Sequence, residues 1–259
     1  MDFVVFKAQM KAERGGGSLW IPDVGDLQMN LINLISVNLR MTYYSQIGQD
    51  KYFIEHFTDP SRKGFFVDVG AHDGITMSNT LALEQRGWNG IGIEVNYHLF
   101  EQAKRNRKCT IVNECVFSCD DVEKTLEIPL HNPIPEGNSL LIRIKDMNRK
   151  SSFQSQFSKT TTFAKRTKTL TKIFEEQGVP PLIDFMSIDI EGADYDALLG
   201  LDFSKYTIGF LTIEWGGCDK GYLALIQTLL ESKGYKLHRI NNWDAEFVPG
   251  STVGQPGRL

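Results

Sequence analysis

Residues 65–74 constrain what this chain can fold into more than any other segment. The first five, FFVDV, are mostly aromatic or β-branched, which predicts a short buried strand. Gly70 and Gly74 follow, and glycine lets the backbone turn sharply while a ligand approaches it closely. Helical spacing then runs over residues 77–86. This order is typical of the first unit of a nucleotide-binding α/β sheet, although an ordinary βα connection shares the pattern.

A second apolar run, residues 90–95, also carries an acid near its end. Glu94 follows Gly74 by about 20 residues, the spacing at which a carboxylate binds ribose hydroxyls in dinucleotide sites. One carboxylate can accept hydrogen bonds from both the 2′ and the 3′ hydroxyl. The position of Glu94 therefore favours an adenosine-type ligand. The alternative is a solvated acid at the end of a strand.

Composition sets the class of protein. A chain of 259 residues with 41% hydrophobic and 23% charged residues is sufficient for one globular α/β domain with additions. The net charge of −4 is too small to indicate a nucleic-acid or membrane partner. No apolar stretch is long enough to span a membrane, and no signal peptide is recognisable. Cys109, Cys115, Cys119 and Cys218 form no CxxC pair, so we expect reduced thiols in a cytoplasmic protein and no metal site built on them.

Two segments are harder to assign. Residues 1–40 form an N-terminal extension in which positions 27–39 have the spacing of a helix. That helix would pack on the domain or on a second copy in a homodimer, or act as a substrate lid. Residues 143–172 carry nine basic side chains against the single acid Asp146. They predict either a solvated surface insertion or a dock for an anionic substrate such as a phosphorylated sugar, a nucleotide-linked sugar or RNA. Sparse aromatic residues argue against an RNA platform.

Strands and helices alternate through most of the chain. Further strands are predicted at 110–113, 183–190, 208–215, 235–240 and 246–248, and further helices at 97–107, 170–178, 193–199 and 222–232. Such alternation predicts a mainly parallel sheet with right-handed crossovers. Acids follow these strands where they end: Asp68 and Asp73, Glu94, Asp189 and Glu191, and Glu214. Because ligands bind at the carboxyl edge of an open α/β sheet, these acids predict one shared site.

Three blocks of sequence, residues 44–50, 66–74 and 184–194, resemble the FkbM methyltransferases. The resemblance runs from about Tyr43 to Trp215 and extends toward Ile240. It implies an α/β, class I, Rossmann-like methyltransferase fold, with a mainly parallel seven-stranded sheet and helices on both faces. The methyltransferase domain would span residues 41–259, with a basic insertion near 129–168. The resemblance also implies S-adenosylmethionine as methyl donor and transfer to oxygen, commonly a hydroxyl of a sugar, glycan or natural product.

The same resemblance implies roles for individual residues. The loop after the first strand would face the methionine part of the donor, through Asp68, Gly70, Ala71, His72, Asp73 and Gly74. Glu94 and Val95 would lie at the ribose, and Cys115 and Val116 would flank the adenine. Gln46 and Asp50 would close the site, and Asp189 would lie beside the donor. Val95-Asn96 replaces the proline-containing turn expected after Glu94, which leaves the detail of the ribose contact open.

Transfer of a methyl group to a hydroxyl requires alignment of the acceptor oxygen and a base to take its proton. Asp189 and Glu191 are the first candidates and Glu214 is the next, with capping of a helix as their structural alternative. His72 competes because its ordinary pKa is about 6.5. No metal site is predicted, although clustered acids could hold Mg²⁺.

Two other functions stay open. An RNA cap 2′-O-methyltransferase would use Lys51, Asp189 and Glu214, with Lys220 as a candidate second lysine. A non-catalytic protein would bind the donor as a scaffold or regulatory subunit. We expect a small-molecule or glycan acceptor, with an anionic one among the alternatives, and do not expect nucleic acid as the main partner.

Overall fold

The central strand of the main sheet is the predicted one, β1 (Phe65–Val69). The computed structural model describes residues 42–129, 143–144, 160–216 and 220–250. Within them the helices are α1 (Gln49–Phe57), α2 (Leu81–Gln85), α3 (Tyr97–Asn106), α4 (Leu170–Gln177), α5 (Asp194–Leu199) and α6 (Lys220–Ser232). The other strands are β2 (Asn89–Ile93), β3 (Thr110–Val112), β4 (Cys115–Val116), β5 (Glu123–Pro129), β6 (Arg143–Ile144), β7 (Thr160–Lys168), β8 (Leu182–Ile188), β9 (Thr207–Glu214), β10 (Tyr235–Asn241) and β11 (Asp244–Pro249).

Seven of these strands form one sheet in the order β10-β11-β9-β8-β1-β2-β3. β11 runs antiparallel to both of its neighbours, and the other pairings are parallel. The prediction of a mainly parallel seven-stranded sheet is confirmed. Because β1, β2, β8 and β9 are parallel, the loops that follow them meet at one edge of the sheet.

Helices cover both faces of this sheet, as predicted. Side chains of a strand point alternately to opposite faces, so Val67 and Phe66 enter different cores. Val67 packs in the core that contains residues of α4, α5 and α6, whereas Phe66 packs in the core that contains residues of α1 and α2. Each large apolar side chain buried in this way contributes roughly 1.5–3 kcal/mol to folding. Burial on both faces fixes the carboxyl edge of the sheet as a rigid base for loops.

A second sheet, in the order β4-β7-β5-β6, lies outside the predicted architecture. The sequence of residues 124–129 predicts an extended segment, which β5 confirms, but the sequence predicts a solvated insertion where β7 forms a strand of nine residues. β7 pairs antiparallel with β5 and parallel with β4. Exposure alternates along β7, where Phe163 and Thr167 are less exposed than their neighbours. The basic residues Lys165, Arg166 and Lys168 make this pattern hard to recognise in the sequence. The remainder of the basic segment, residues 130–142 and 145–159, lies outside the described residues.

The helix predicted over residues 77–86 begins only at Leu81. Polar side chains hold the preceding residues in turns instead: Asp73 accepts hydrogen bonds from the N–H groups of Ile75 and Thr76, and Ser78 accepts one from Leu81. These local bonds compete with the helix for backbone donors. The N-terminal helix predicted over 27–39, and with it the lid and homodimer contact, lies outside the part of the chain that the structure describes. Within that part, no helix has the length and apolarity needed to cross a bilayer.

Candidate functional site

A cavity of about 220 Å³ opens at the carboxyl edge of the main sheet. Gly70, Glu94 and Asp189, which follow β1, β2 and β8, all line it. Gln46, Asp68, Ala71, His72, Val95, Cys115, Val116, Glu191 and Glu214 line it too, so most of the predicted site residues share one wall. Of the six acids that follow strand ends, all but Asp73 therefore lie around a single cleft.

Gly70 is required by the packing of the loops that follow β1 and β8. Its φ of 96° lies in the left-handed region, and a Cβ there would overlap the carbonyl oxygen of Asp189. The N–H groups of Gly70 and Ala71 both donate to the carbonyl of Ile93, at 2.9 and 3.0 Å. Glycine thus lets three loops converge on the cavity floor.

Glu94 is 7% exposed and is held by backbone donors on both sides. His72 N–H donates to its Oε2 and Asn96 N–H to its Oε1, each at 2.8 Å. Burial raises the pKa of Glu94 to about 7, against the opposing effect of these bonds. Each carboxylate oxygen keeps a further lone pair for a ligand hydroxyl. The turn that lacks the expected proline is held instead by Asn113 Nδ2, which donates to the carbonyls of Glu94 and Val95 at 2.7 and 2.9 Å.

One wall of the cavity, next to Val95, is apolar. Cys115 and Val116 of β4 line it together with Leu126 of β5 and Ile144 of β6, so the second sheet completes this wall. Burial raises the pKa of the Cys115 thiol to about 11, which keeps the thiol neutral. A neutral, flat-sided wall of this kind suits an aromatic base. Leu126 and Ile144 were missed because the sequence predicts extended segments at 124–129 and 139–145 but gives no sign that they lie beside the edge of the main sheet.

Three acids gather where β8 and β9 end. Glu214 is hydrogen-bonded to Asp189, and its pKa is raised by burial and then by the charge of Asp189. The pKa of Asp189 is also raised, first by the surrounding protein and then by Glu191 and neighbouring acids, although its side chain stays accessible. Because ionising both of two hydrogen-bonded carboxyl groups is unfavourable, Asp189 and Glu214 titrate as a coupled pair. Burial and the charge of Asp194 raise the pKa of Glu191 to about 7.

Three predicted site residues do not line the cavity. Asp50 accepts hydrogen bonds from the N–H groups of Tyr44 and Ser45 and orders the loop before α1. Asp73 binds the N–H groups of Ile75 and Thr76, and these bonds outweigh burial and lower its pKa. Gly74 packs against α3, where a Cβ would lie 2.6 Å from Arg107 Cγ. These residues shape the loops around the cavity instead of facing it.

His72 lines the cavity on the side of Glu94, to which its backbone donates. Its two ring nitrogens are buried with no hydrogen-bond partner among the described residues, and Nδ1 lies 3.4 Å from Asp73 Oδ1. This position favours contact with the donor over proton transfer beside Asp189.

Sequence reasoning missed several lining residues, among them Asn79, Ser187 and Trp243. Ser187 is a polar residue within the apolar strand β8, and Asn79 lies in the polar triplet that precedes α2. Both patterns could have been noticed, since buried polar groups require partners. Trp243 lies in the turn between β10 and β11, where nothing in the sequence distinguishes it from a surface aromatic.

The charge of the cavity wall has one sign. Six carboxyl side chains line it: Asp68, Glu94, Glu114, Asp189, Glu191 and Glu214. Among the described lining residues none is lysine or arginine, and Lys51 and Lys220 do not reach the wall. Burial raises the pKa of most of these acids, and a positively charged ligand would favour their ionised forms, so such a wall suits a cation better than an anion. In the same part of the chain, no group of three or more His, Cys, Asp or Glu side chains is placed to hold a metal ion.

The sheet order and the nucleoside-type site at its carboxyl edge define a Rossmann-like, class I methyltransferase fold. The family model of the Methyltransferase FkbM domain matches residues 68–237, more than half of the chain, and the chain belongs to this family. It is a methyltransferase that depends on S-adenosylmethionine. The residues present fit this donor, since the acidic wall suits its sulfonium and ammonium charges and Glu94 suits its ribose.

Solved structures with similar folds include two bacterial methyltransferases. A TehB-like SAM-dependent methyltransferase from Corynebacterium glutamicum is 12% identical, with a TM-score of 0.41, over 87% of this chain and 97% of that one. Methyltransferase FkbM from Methylobacillus flagellatus is 14% identical, with a TM-score of 0.43, over 86% of this chain and 60% of that one. No curated protein matches the sequence.

Proposed function

We propose that this enzyme transfers the methyl group of S-adenosylmethionine to a hydroxyl oxygen of a neutral sugar, glycan or natural product. The observation that carries the proposal is the group of three acids, Asp189, Glu191 and Glu214, on the cavity wall. A hydroxyl is a weak acid, and a positioned carboxylate that accepts its proton typically accelerates such a transfer 10²–10⁴-fold. An amine or thiol acceptor would need this help less.

Within the proposal, Asp189 is the proton acceptor. Its side chain is accessible from the cavity, and its hydrogen bond with Glu214 orients the carboxylate. Glu191 lies nearby with a raised pKa of about 7 and is the second candidate. When bound, the donor supplies an electrophilic methyl group on a sulfonium. The chain's own residues hold the acceptor hydroxyl and take its proton, which passes to Asp189.

The cavity wall also bears on the class of acceptor. Six acids and no described lysine or arginine disfavour phosphorylated sugars, nucleotide-linked sugars and capped RNA in the cavity itself. Trp243 lies at the cavity with 48% of its surface exposed, and its carbonyl accepts a hydrogen bond of 2.8 Å from Trp215 N–H, next to Glu214. An exposed aromatic face beside carboxylates suits a sugar ring, which has apolar C–H faces and hydroxyl edges.

The proposal is tested with methyl-labelled donor and a panel of neutral glycosides, glycans, hydroxylated natural products, phosphorylated sugars and capped RNA. We expect label in ether linkages of neutral acceptors. Asp189→Asn should lower kcat at least about 100-fold, with S-adenosylhomocysteine affinity changed less than about threefold. Glu214→Gln should lower kcat less than Asp189→Asn does, because the glutamine amide can still donate a hydrogen bond to Asp189. Glu101→Gln, on the outer surface of α3, is the matched control.

The pH dependence sharpens the test. If Glu191, the second candidate, takes the proton instead of Asp189, kcat at saturating donor should rise as pH increases through about 7, because Glu191 becomes ionised there. Glu191→Gln should flatten that rise. Methylation of capped RNA in preference to neutral acceptors would instead indicate a cap methyltransferase. Donor binding without turnover on the whole panel would indicate a non-catalytic protein, and label on nitrogen would overturn oxygen as the acceptor atom.

We also propose that the enzyme acts in the cytoplasm. Cys109, Cys115 and Cys119 form no disulfide within the described part of the chain, which is consistent with the reducing conditions of the cytoplasm.

A further inference from the structure

Asn79 has a hydrogen-bonding group that the protein itself leaves unused. The side chain is 8% exposed and lines the cavity. Its Nδ2 donates to Ser187 Oγ at 2.8 Å, while its Oδ1 is buried and has no partner within the described part of the chain. Buried polar atoms are nearly always paired, so an orphaned acceptor on a cavity wall indicates a partner that arrives with a ligand.

The position of Asn79 identifies the region of the cavity. Ser187 lies opposite Asp68 in the pairing of β8 with β1, and Thr80 Oγ1 donates to Asp68 Oδ2 at 2.6 Å. Asn79 therefore lies over the ends of the two central strands. The apolar wall of Cys115, Val116 and Leu126 belongs to the second sheet, and Glu94 follows β2. With adenine at the apolar wall and ribose at Glu94, the amino-acid end of the donor falls at Asn79.

The residues around Asn79 indicate which group of the methyl donor gives a hydrogen bond to its Oδ1. Asp68 is close by and buried, and the guanidinium of Arg107, 3.9 Å from it, is shared with Glu84, so these three side chains keep a net negative charge. The cavity wall adds further carboxyl groups and no described lysine or arginine. A donor carboxylate would be repelled there, whereas the α-ammonium is attracted and offers N–H groups. If the amide were turned over, Nδ2 would face the cavity and favour the carboxylate. The acidic surroundings decide against that arrangement.

We propose that Asn79, held by Ser187, accepts a hydrogen bond from the α-ammonium of S-adenosylmethionine and makes the site select ligands with a free amino-acid end. The inference rests on the donor of the family and not on the identity of the acceptor. If the contact between Asn79 and the ammonium is disproved, the proposed methyl transfer to oxygen is unaffected. If transfer to oxygen is disproved, the contact is unaffected.

Binding measurements on the whole chain test the proposal without any turnover. Calorimetry would compare S-adenosylhomocysteine with 5′-methylthioadenosine, which lacks the amino-acid end, and with the deaminated and decarboxylated forms of S-adenosylhomocysteine. Asn79→Ala should weaken S-adenosylhomocysteine about tenfold or more and change 5′-methylthioadenosine less than about twofold. Asn79→Ala should not weaken binding of the deaminated ligand, which lacks the ammonium, but it should still weaken binding of the decarboxylated one. Asn89→Ala, at an exposed asparagine outside the cavity, should change neither affinity.

A second substitution covers the case in which Asn79→Ala fails to fold. Asn79→Asp keeps an acceptor oxygen of the same reach and cannot donate, so S-adenosylhomocysteine affinity should stay within about threefold of the parent or improve. Equal losses for S-adenosylhomocysteine and 5′-methylthioadenosine would reduce Asn79 to a structural residue. A loss that disappears with the decarboxylated ligand, or a large loss in Asn79→Asp, would overturn the ammonium contact.

Discussion

Arg107 has a fully buried guanidinium in the loop layer beneath the donor side of the cavity. It pairs with Glu84 at 3.2 Å and lies 3.9 Å from Asp68 Oδ2. It also donates to the carbonyl of Gly74 and to Thr80 Oγ1, at 3.3 and 3.0 Å. A single cation therefore joins the end of α3 to the glycine loop and to α2. The acids that it neutralises are themselves nearly buried.

We expect Arg107→Met to lower the free energy of unfolding by about 3–5 kcal/mol, because it leaves Glu84 and Asp68 buried without their cation. Urea unfolding at pH 7 measures the change. Arg107→Lys should lose less, since it keeps the charge but not the forked donor geometry. Arg105→Met, at an exposed position two residues away, should stay close to the parent. A loss of under about 1 kcal/mol in Arg107→Met would show that the loop is held by other contacts.

At the scale of secondary-structure elements, the second sheet forms one wall of the site. Leu126 of β5 is buried among Cys115, Ile144 and Ala193 and lines the cavity. Leu126→Ala should weaken S-adenosylhomocysteine and 5′-methylthioadenosine alike, by about tenfold, because both ligands carry adenine. The ratio of the two dissociation constants, measured by calorimetry, should stay constant. A selective effect on S-adenosylhomocysteine would show that the adenine lies elsewhere.

Leu225→Ala is the matched control for that substitution. Leu225 is an exposed leucine on α6, away from the cavity. It should leave both affinities unchanged. Since a buried leucine replaced by alanine commonly costs 2–5 kcal/mol of stability, folding of Leu126→Ala is verified by its unfolding transition before binding is compared.

The main sheet and the acids at its edge could be predicted because their signals are local. Runs such as Phe65–Val69 have the composition of buried strands, and parallel strands bring their carboxyl ends together by geometry alone. β7 could not be predicted from its composition, because its pairing with β5 and β4 comes from distant parts of the chain. Contacts between side chains far apart in sequence, such as Asn79 with Ser187, leave no pattern that local periodicity can show.

At the scale of the whole molecule, folding, donor binding and protonation are linked. Glu94 has an ordinary pKa of 4.5 and a raised value of about 7 in the folded chain. The folded state thus binds this proton more tightly than the unfolded chain. The contribution to stability is fully present below pH 4.5 and is lost as pH rises to about 7. Ribose hydroxyls favour the ionised form, so donor binding should have the opposite dependence.

We therefore expect that ionisation of Glu94 lowers the melting temperature of the free protein as pH rises from 5 to 7.5. Over the same range, the increase produced by S-adenosylhomocysteine should grow, since affinity improves about tenfold per pH unit below pH 7. At 100 times its dissociation constant the ligand adds about 2.7 kcal/mol. Thermal scans over a pH series measure both quantities.

Glu94→Gln provides the control for this linkage because it cannot titrate. In this variant, the melting temperature of the free protein should no longer fall between pH 5 and 7.5 on account of residue 94. The increase in melting temperature produced by S-adenosylhomocysteine should depend less on pH. A ligand effect that is independent of pH in the parent would show that Glu94 does not bind the ribose as a carboxylate.

β11 has a consequence for synthesis of the protein on the ribosome. This strand lies between β9 and β10, although it follows both in the chain. Its Asp244 receives a hydrogen bond of 2.5 Å from Gln49, and Asn241 of β10 donates to the carbonyl of Ile47 at 3.0 Å. A nascent chain can pair β1, β2, β8 and β9 as they emerge, but the gap beside β9 stays open until residue 249 has left the exit tunnel. The cleft is thus completed only after β9 and β10 have both been translated.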